Sequence, residues 1–366
     1  MRGFKSKRAL DIYHLILAPT HACNLRCKHC YLPDHATNLL PREVALRLVD
    51  EWSEIVMRER GRFKGIFHVK GGEPFVTPYL FDLLARMAEL KTLWFMMTTN
   101  GTFTAPENFD RLDHYNQELS GHLTCVVSVD GASAATHEFL RGEGRFEQTM
   151  HFIRELRKRD IQVYMNSVIH QGNIHELDQF VAMAKAMEVA QINFLPLVPK
   201  GYGAALRQTQ APHLDIHRAL AAIYRNGDEE TKRLMVGGLP DIQEEERRDT
   251  LAACAECVAG YRGLFYIKPD GSVYSCPNLE QARFAIANVH QDSLNDASDR
   301  LWSLHSRLRS AQVDDRYVCS GERIKYEDGG DHFNRESLSN LRNQLSAHRH
   351  VAAESAEVAF CVSRNW

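Results

Sequence analysis

The sequence predicts an α/β protein built on a parallel sheet, and three observations carry that expectation. Six apolar runs of strand length recur up to about residue 205, most of them followed by a stretch with helical spacing of apolar residues. The residues that carry chemistry gather at the C-terminal ends of those runs, on one rim. Beyond about residue 205 the alternation stops and a smaller unit begins.

Taken in order, 13–19 reads as a buried strand with Ile16 and Leu17 at its centre. Pro41 suits the first position of a helix, whose buried stripe is Val44, Leu48, Trp52, Ile55 and Val56. A strand at 65–70 runs into Gly71-Gly72-Glu73-Pro74, and a helix at 79–90 places Leu80, Leu83, Leu84 and Met87 on one face. The strand 94–99 closes on Asn100-Gly101, and the strand 123–129 on Asp130-Gly131. Between them, 106–120 reads as polar and irregular. Helices are expected at 146–159 and 176–187, with strands at 162–168 and 191–197. Further on, 213–224 is helical, a hairpin at 264–268 and 273–275 turns on Pro269-Asp270-Gly271, and 294–309 is helical.

The bulk numbers exclude several classes. With 366 residues, 44% hydrophobic and 25% charged, the chain suits one large and one smaller domain of a globular enzyme. A net charge of −3 gives no argument for nucleic acid or for an anionic membrane surface. No window reaches the length of a membrane span, and Asp11 and His14 interrupt the N-terminal apolar run, so no secretory signal is read. The cytoplasm is the expected compartment. Nine cysteines are too sparse for a disulfide scaffold, and their clustering points to metal.

The organising stretch is Cys23, Cys27 and Cys30, spaced C-x3-C-x2-C directly after the first strand. Three thiolates can wrap one compact centre of zinc, copper(I) or iron–sulfur, and a fourth position left open is where such a centre does chemistry.

With Tyr31, Gly71-Gly72-Glu73-Pro74, Ser128-Val129-Asp130-Gly131 and Arg141, this set resembles the radical S-adenosylmethionine (radical SAM) superfamily over roughly residues 10–205. The resemblance implies a partial (β/α)6 TIM-like barrel. It implies a [4Fe–4S] cluster on Cys23, Cys27 and Cys30, with SAM on its open iron. Gly71, Gly72 and Glu73 would face the methionine moiety, and Arg141 its carboxylate. Ser128 and Asp130 are the ribose-side candidates, with Tyr31 and Leu195 on the adenine side. Reductive cleavage of SAM would give a 5′-deoxyadenosyl radical that takes hydrogen from substrate.

The later cysteines resemble the auxiliary-cluster domains called SPASM and twitch, through Cys257, the run from Tyr266 to Cys276, and Ala287-Asn288-Val289. The second cysteine run of a full SPASM domain is absent, so a single-cluster, twitch-like α+β domain of hairpin plus helix is expected. Its ligands would be Cys254, Cys257, Cys276 and Cys319, with Cys361 an alternative to Cys319, and a zinc reading of Cys254-x2-Cys257 stays open. The implied organisation is a barrel at 1–205, a helical linker at 206–250, the auxiliary domain at 251–320 and a partly helical tail at 321–366. In sulfatase-maturating relatives an Asp base follows the cysteine at the position of Cys276; here Pro277 stands there, which counts against that base.

Other residues read more plainly. Cys125 is a core residue, Asp270 a turn former, and His21, His29 and His35 solvated loop residues. Lys70 reads as a surface lysine at a strand end, with a substrate contact left open. His170, Lys200 and Tyr202 follow strand ends, and no residue is named as the catalytic acid or base.

The expected function is modification of a peptide or protein side chain by crosslinking, epimerisation or oxidation, as in maturases of ribosomal peptides. The alternative is a dehydrogenase or epimerase acting on a sugar or other metabolite. With 22 residues before Cys23, no fused N-terminal recognition domain is read, so a separate recognition protein is a candidate partner. An electron donor such as flavodoxin or ferredoxin is the other. Anaerobically purified protein should return about eight iron atoms per chain for two clusters and about four for one.

Overall fold

The computed structural model describes residues 13–32, 34–235, 264–275 and 285–300, together with Pro277 and Ala282. Cys254, Cys257, Cys276, Cys319 and Cys361 lie outside the described residues, as do the expected tail and the end of the last helix.

Eight strands and eight helices build the part that positions the site, with a two-residue strand completing the described sheet. In chain order they are β1 (Tyr13–Leu17), α1 (Arg42–Glu59), β2 (Gly65–Val69), α2 (Leu80–Leu90), β3 (Trp94–Thr99), α3 (Pro106–Glu118) and β4 (Leu123–Ser128). Then follow α4 (Ala134–Arg141), α5 (Arg145–Arg157), β5 (Gln162–Ile169), α6 (Leu177–Ala186), β6 (Gln191–Pro196), α7 (His213–Asn226) and α8 (Glu229–Met235). The C-terminal part contributes β7 (Leu264–Ile267), β8 (Ser272–Tyr274) and the short β9 (Ala287–Asn288).

Strands β1 to β6 pair in sequence order and all in parallel, which is the expected α/β architecture. Among the described residues the sheet runs β6-β5-β4-β3-β2-β1-β7-β8-β9 and does not close. Because side chains alternate along a strand, each strand divides its residues between two faces. Leu15, Leu17, Phe67, Phe95, Val127 and Phe194 are buried and join the core between sheet and helices. The other, concave face carries His14, His68, Thr98, Thr124, Tyr164 and Asn193, interleaved with the apolar Ile16, Ile66, Met96 and Val126. Cys125 is fully buried in the core, as expected.

Three expectations change. The stretch 106–120 is not irregular: Pro106 opens α3, and Phe109, Leu112 and Leu119 bury a narrow stripe that its polar neighbours conceal. Helix α4 was not anticipated; Ser133 caps it, its hydroxyl accepting from Thr136 N at 3.4 Å. Residues from the expected linker also pack on the barrel, since Ile216, Leu220, Leu234 and Met235 join the main core.

The hairpin expected at 264–275 forms, but it does not stand apart. Strand β7 pairs in parallel with β1, His14 opposite Leu264 and Leu17 opposite Ile267, so the hairpin extends the barrel sheet at the edge beside the cysteine loop. Phe265 meets Trp52 of α1 edge-on, with ring centroids 5.7 Å apart. The segment after β9 returns to the same helix, Leu294 N donating to Glu51 Oε2 at 2.7 Å. Phe265→Ala should therefore lower stability by about 3–5 kcal/mol, measured by urea denaturation.

Candidate active site

The loop after β1 and the loop after β2 are joined by main-chain hydrogen bonds. Gly72 N donates to Thr20 O at 3.0 Å, and Glu73 N to Ala22 O at 2.9 Å. The contact is too close for side chains: a Cβ on Gly72 would lie 1.9 Å from Ala22 O, and one on Gly71 2.5 Å from Thr20 O. Gly71 also has φ +134°, a conformation that disfavours other residues. The two glycines are thus explained first by loop docking, where the sequence alone suggested approach to a ligand.

Glu73 is buried and carries the docking further. Its carboxylate accepts from Thr99 Oγ1 at 2.8 Å, Asn100 N at 2.8 Å and Phe75 N at 3.3 Å. Burial pushes its pKa up to about 7, against the pull of those donors. Asn100 in turn donates Nδ2 to Asn24 Oδ1 at 2.9 Å and points the same group at Cys23 Sγ, 3.9 Å away. The Leu25 amide donates to Cys23 Sγ at 3.4 Å. Donors aimed at sulfur suit a thiolate ligand.

Cys23, Cys27 and Cys30 are each half-buried on this loop and unbonded to one another. Burial raises all three thiol pKa values, that of Cys27 to about 11. Among the described residues no three His, Cys, Asp or Glu groups converge on a single metal ion. One zinc ion would draw its thiolates together, whereas a [4Fe–4S] cluster spreads its cysteines over separate irons. The donor set, one loop of three soft ligands with N–H donors behind it, fits a cluster.

Asp130 and Arg141 form the other half of the rim. Asp130 is fully buried; Arg141 Nε donates to its Oδ2 at 2.5 Å and Val168 N to its Oδ1 at 2.9 Å. Burial alone would raise its pKa, but the Arg141 guanidinium beside it holds it down to about 2. With both oxygens so engaged, Asp130 anchors Arg141. Helix α4 makes this possible by ending at Arg141, with His137 Nδ1 accepting from Asp130 N at 3.3 Å.

The histidine expectation fails at two of three positions. His21 is buried and His29 is half-buried, its side chain 10% exposed, and Arg141 Nη2 donates toward His29 Nε2 at 3.4 Å, which a neutral imidazole accepts. Burial, with Arg141 adding to it, takes the His29 pKa down to about 4 although Asp130 opposes the shift. His35 stacks on Tyr202 at 5.2 Å. His170 is buried too, its Nδ1 accepting from Gly172 N at 3.0 Å. Lys70 is also buried, not on the surface, and its ammonium faces the Tyr31 ring. Ser128 ends β4 opposite Asn166, and Leu195 lies half-buried in β6 opposite Val168.

Reading the sequence missed the polar ladder across the concave face. His14 Nε2 and His68 Nδ1 lie 3.0 Å apart, and His68 Nε2 is 2.8 Å from Thr98 Oγ1. Farther along, Thr124 Oγ1 donates to Gln162 Oε1 at 2.7 Å, and Asn193 Nδ2 to Asn166 Oδ1 at 2.8 Å. The signal was present as polar residues at alternate positions, clearest in Gln162, Tyr164 and Asn166 of β5.

The family model described as the radical SAM superfamily matches residues 17–184. The chain is 26% identical to the AdoMet-dependent heme synthase of Nitratidesulfovibrio vulgaris, over 88% of this chain and 90% of that protein. It is 32% identical to the PqqA peptide cyclase of Methylorubrum extorquens, over 73% of this chain and 66% of the relative. In fold it resembles native anSMEcpe solved with bound AdoMet and the Cp18Cys peptide, with TM-score 0.62 at 16% identity, covering 82% of this chain and 84% of that one.

The Asp130–Arg141 pair has a definite pH signature. A carboxylate held near 2 against an ordinary 3.8 contributes stability above about 3.8, which is lost as pH falls through about 2. Asp130→Asn should cost on the order of 3 kcal/mol near neutrality, and the gap to wild type should narrow across that acid window, measured by denaturation at stepped pH.

Proposed function

The chain belongs to the radical SAM superfamily, and from that premise we propose that it modifies a side chain of a peptide or protein. The outcome would be a crosslink, an epimerisation or an oxidation. The likeness to a peptide cyclase carries this reading. A concave sheet face lined with neutral hydrogen-bonding side chains beside the cysteine loop is consistent with it.

In this reading Cys23, Cys27 and Cys30 hold the [4Fe–4S] cluster. Gly71, Gly72, Glu73, Ser128 and Arg141 border SAM, with Tyr31 and Leu195 on its adenine side. When bound, the cluster and SAM together supply the oxidising radical that removes hydrogen from substrate. The chain's own residues do the rest. Asp130 fixes the guanidinium of Arg141 so that it meets an anionic group in one orientation. Asn100 and the Leu25 amide hold the Cys23 sulfur in place. Glu73, with a pKa near 7, holds or releases a proton at a carboxylate tied to the ends of β2 and β3.

A second cluster on Cys254, Cys257, Cys276 and Cys319 belongs to the same proposal, as do a flavodoxin- or ferredoxin-like electron donor and a separate peptide-recognition protein. The hairpin that leads to Cys276 borders the strand that leads to Cys23. No helix among the described residues is long and apolar enough to cross a membrane, and the cytoplasm is the proposed compartment.

A small-molecule substrate is the second reading, supported by the likeness to a heme synthase along most of both chains. Incubating the reconstituted enzyme with a short peptide encoded beside its gene separates the two. A mass change in the peptide supports the first, and turnover of a small metabolite alone supports the second.

Cys27→Ala should abolish formation of 5′-deoxyadenosine from SAM under reducing, anaerobic conditions, read by chromatography. Deoxyadenosine at the wild-type rate would refute the assignment of the cysteine loop.

A further inference from the structure

Strands β5 and β6 carry a row of carboxamides on the concave face. Gln191 Nε2 donates to Asn193 Oδ1 at 2.6 Å, and Asn193 Nδ2 donates to Asn166 Oδ1 at 2.8 Å. Asn166 stands opposite Ser128 of β4, so the row begins beside a residue that the proposed function gives to SAM. Asn193, at its centre, is 7% exposed, while Gln191 and Asn166 are half-buried. Along β5 the concave-side residues Gln162, Tyr164, Asn166 and Val168 are all half-buried and the core-side residues buried. A ligand on the concave side therefore reaches these side chains.

A carboxamide offers two N–H donors and an oxygen that accepts twice. The two bonds of the row leave the Asn166 amide nitrogen and the Gln191 side-chain oxygen without a partner among the described residues. Turning one amide over would set like atoms against each other, and turning all three over only exchanges the two ends. Either way, one end of the row donates and the other accepts. Tyr164 stands opposite Gln191 on the same face, and burial raises its pKa, so its hydroxyl stays a neutral donor. No concave-face residue of strands β3 to β6 carries a charge.

The spare groups lie on different side chains, with the whole Asn193 amide between them. One small polar group does not meet both. A carboxylate brings acceptors only, and the row offers no cation to offset its burial. An extended peptide brings carbonyls and N–H groups in alternation, at about 3.4 Å per residue, and meets both ends. We propose that Asn166, Asn193 and Gln191, with the Tyr164 hydroxyl beside them, form a subsite for the main chain of an extended peptide. Peptide carbonyls meet the donating end and Tyr164, and a peptide N–H meets the accepting end. This rests on the reading that the substrate is a peptide, and it adds how that peptide is gripped. Recognition through the main chain leaves the side chain that reacts free to turn toward SAM.

The test uses the holoenzyme, reconstituted anaerobically and saturated with SAM. It is titrated with acetyl-trialanine N-methylamide, with the depsipeptide in which esters replace the inner amides, and with methyl α-glucoside. Binding is read by saturation-transfer NMR. The peptide should bind about fivefold or more tightly than the depsipeptide, as expected when a hydrogen-bond donor is lost. Gln191→Met and Asn166→Leu should each weaken the peptide by a similar factor, and the variant whose peptide-over-ester ratio falls to about one marks the accepting end. Tyr164→Phe, which removes only a hydroxyl, should weaken the peptide about twofold or more, and it keeps the test open if the other variants do not fold. The affinity for SAM, measured by equilibrium dialysis, should stay the same in all three.

Equal binding of peptide and depsipeptide, no binding by any probe, or tighter binding of the glucoside than of the peptide overturns the proposal. So does an unchanged peptide affinity in any of the variants that fold. A loss of SAM affinity in Asn166→Leu also overturns it, because Asn166 would then belong to the SAM site. Nothing turns over in this titration. A substrate peptide that gains mass while the probes show no preference for amide over ester sinks the subsite and leaves the peptide reading standing.

Discussion

The rim depends on one close approach, that of the Gly71-Gly72 backbone to the carbonyls of Thr20 and Ala22. It leaves no space for a Cβ, so the two loops lock through main-chain atoms alone. Everything beyond it is a chain of consequences. The docked turn carries Glu73 to the end of β3, Glu73 holds Thr99 and Asn100, and Asn100 reaches back to Asn24 and Cys23. A loop with three cysteines has many conformations of its own, and the neighbouring strand ends select among them. The placement of the three cysteines is therefore set by the sheet, which is stiff, more than by the loop.

The buried charges follow a second rule. Asp130 and Arg141 are both removed from water, and each is acceptable only because the other is there. Around them His29, His137 and His170 are kept neutral by burial, so the rim holds a concentrated ion pair without a surplus of positive charge from its imidazoles. Lys70 brings a second cation to the rim region, from the end of β2, shielded by aromatic faces.

Most of the barrel was legible in the sequence because its strands carry continuous or alternating apolar runs and end on recognisable turns. The ends of β3 and β6 are matched to within a residue. Helix α3 escaped because two buried apolar residues, Phe109 and Leu112, among many polar ones make a weak periodicity, and α4 because it spans only eight residues. The rim residues were legible by motif, but their partners were not. Nothing in the spacing of Asp130 and Arg141 says that they bond to each other, and nothing beside Lys70 says that tyrosines from two distant segments will cover it. Burial is a property of the assembled sheet, which is why the enclosure of His21, His29 and Lys70 does not show in the sequence.

The pairing of β1 with β7 joins residues about 250 positions apart in the chain. A nascent chain that has completed β6 therefore still presents β1 with one bare edge, right beside the loop of cysteines. An open strand edge is a template for unwanted pairing, and contacts so distant in sequence form late. Biogenesis thus passes through a stage in which the barrel is built while the edge next to the cysteine loop stays open to solvent. That stage ends only when the C-terminal hairpin arrives and β7 pairs with β1.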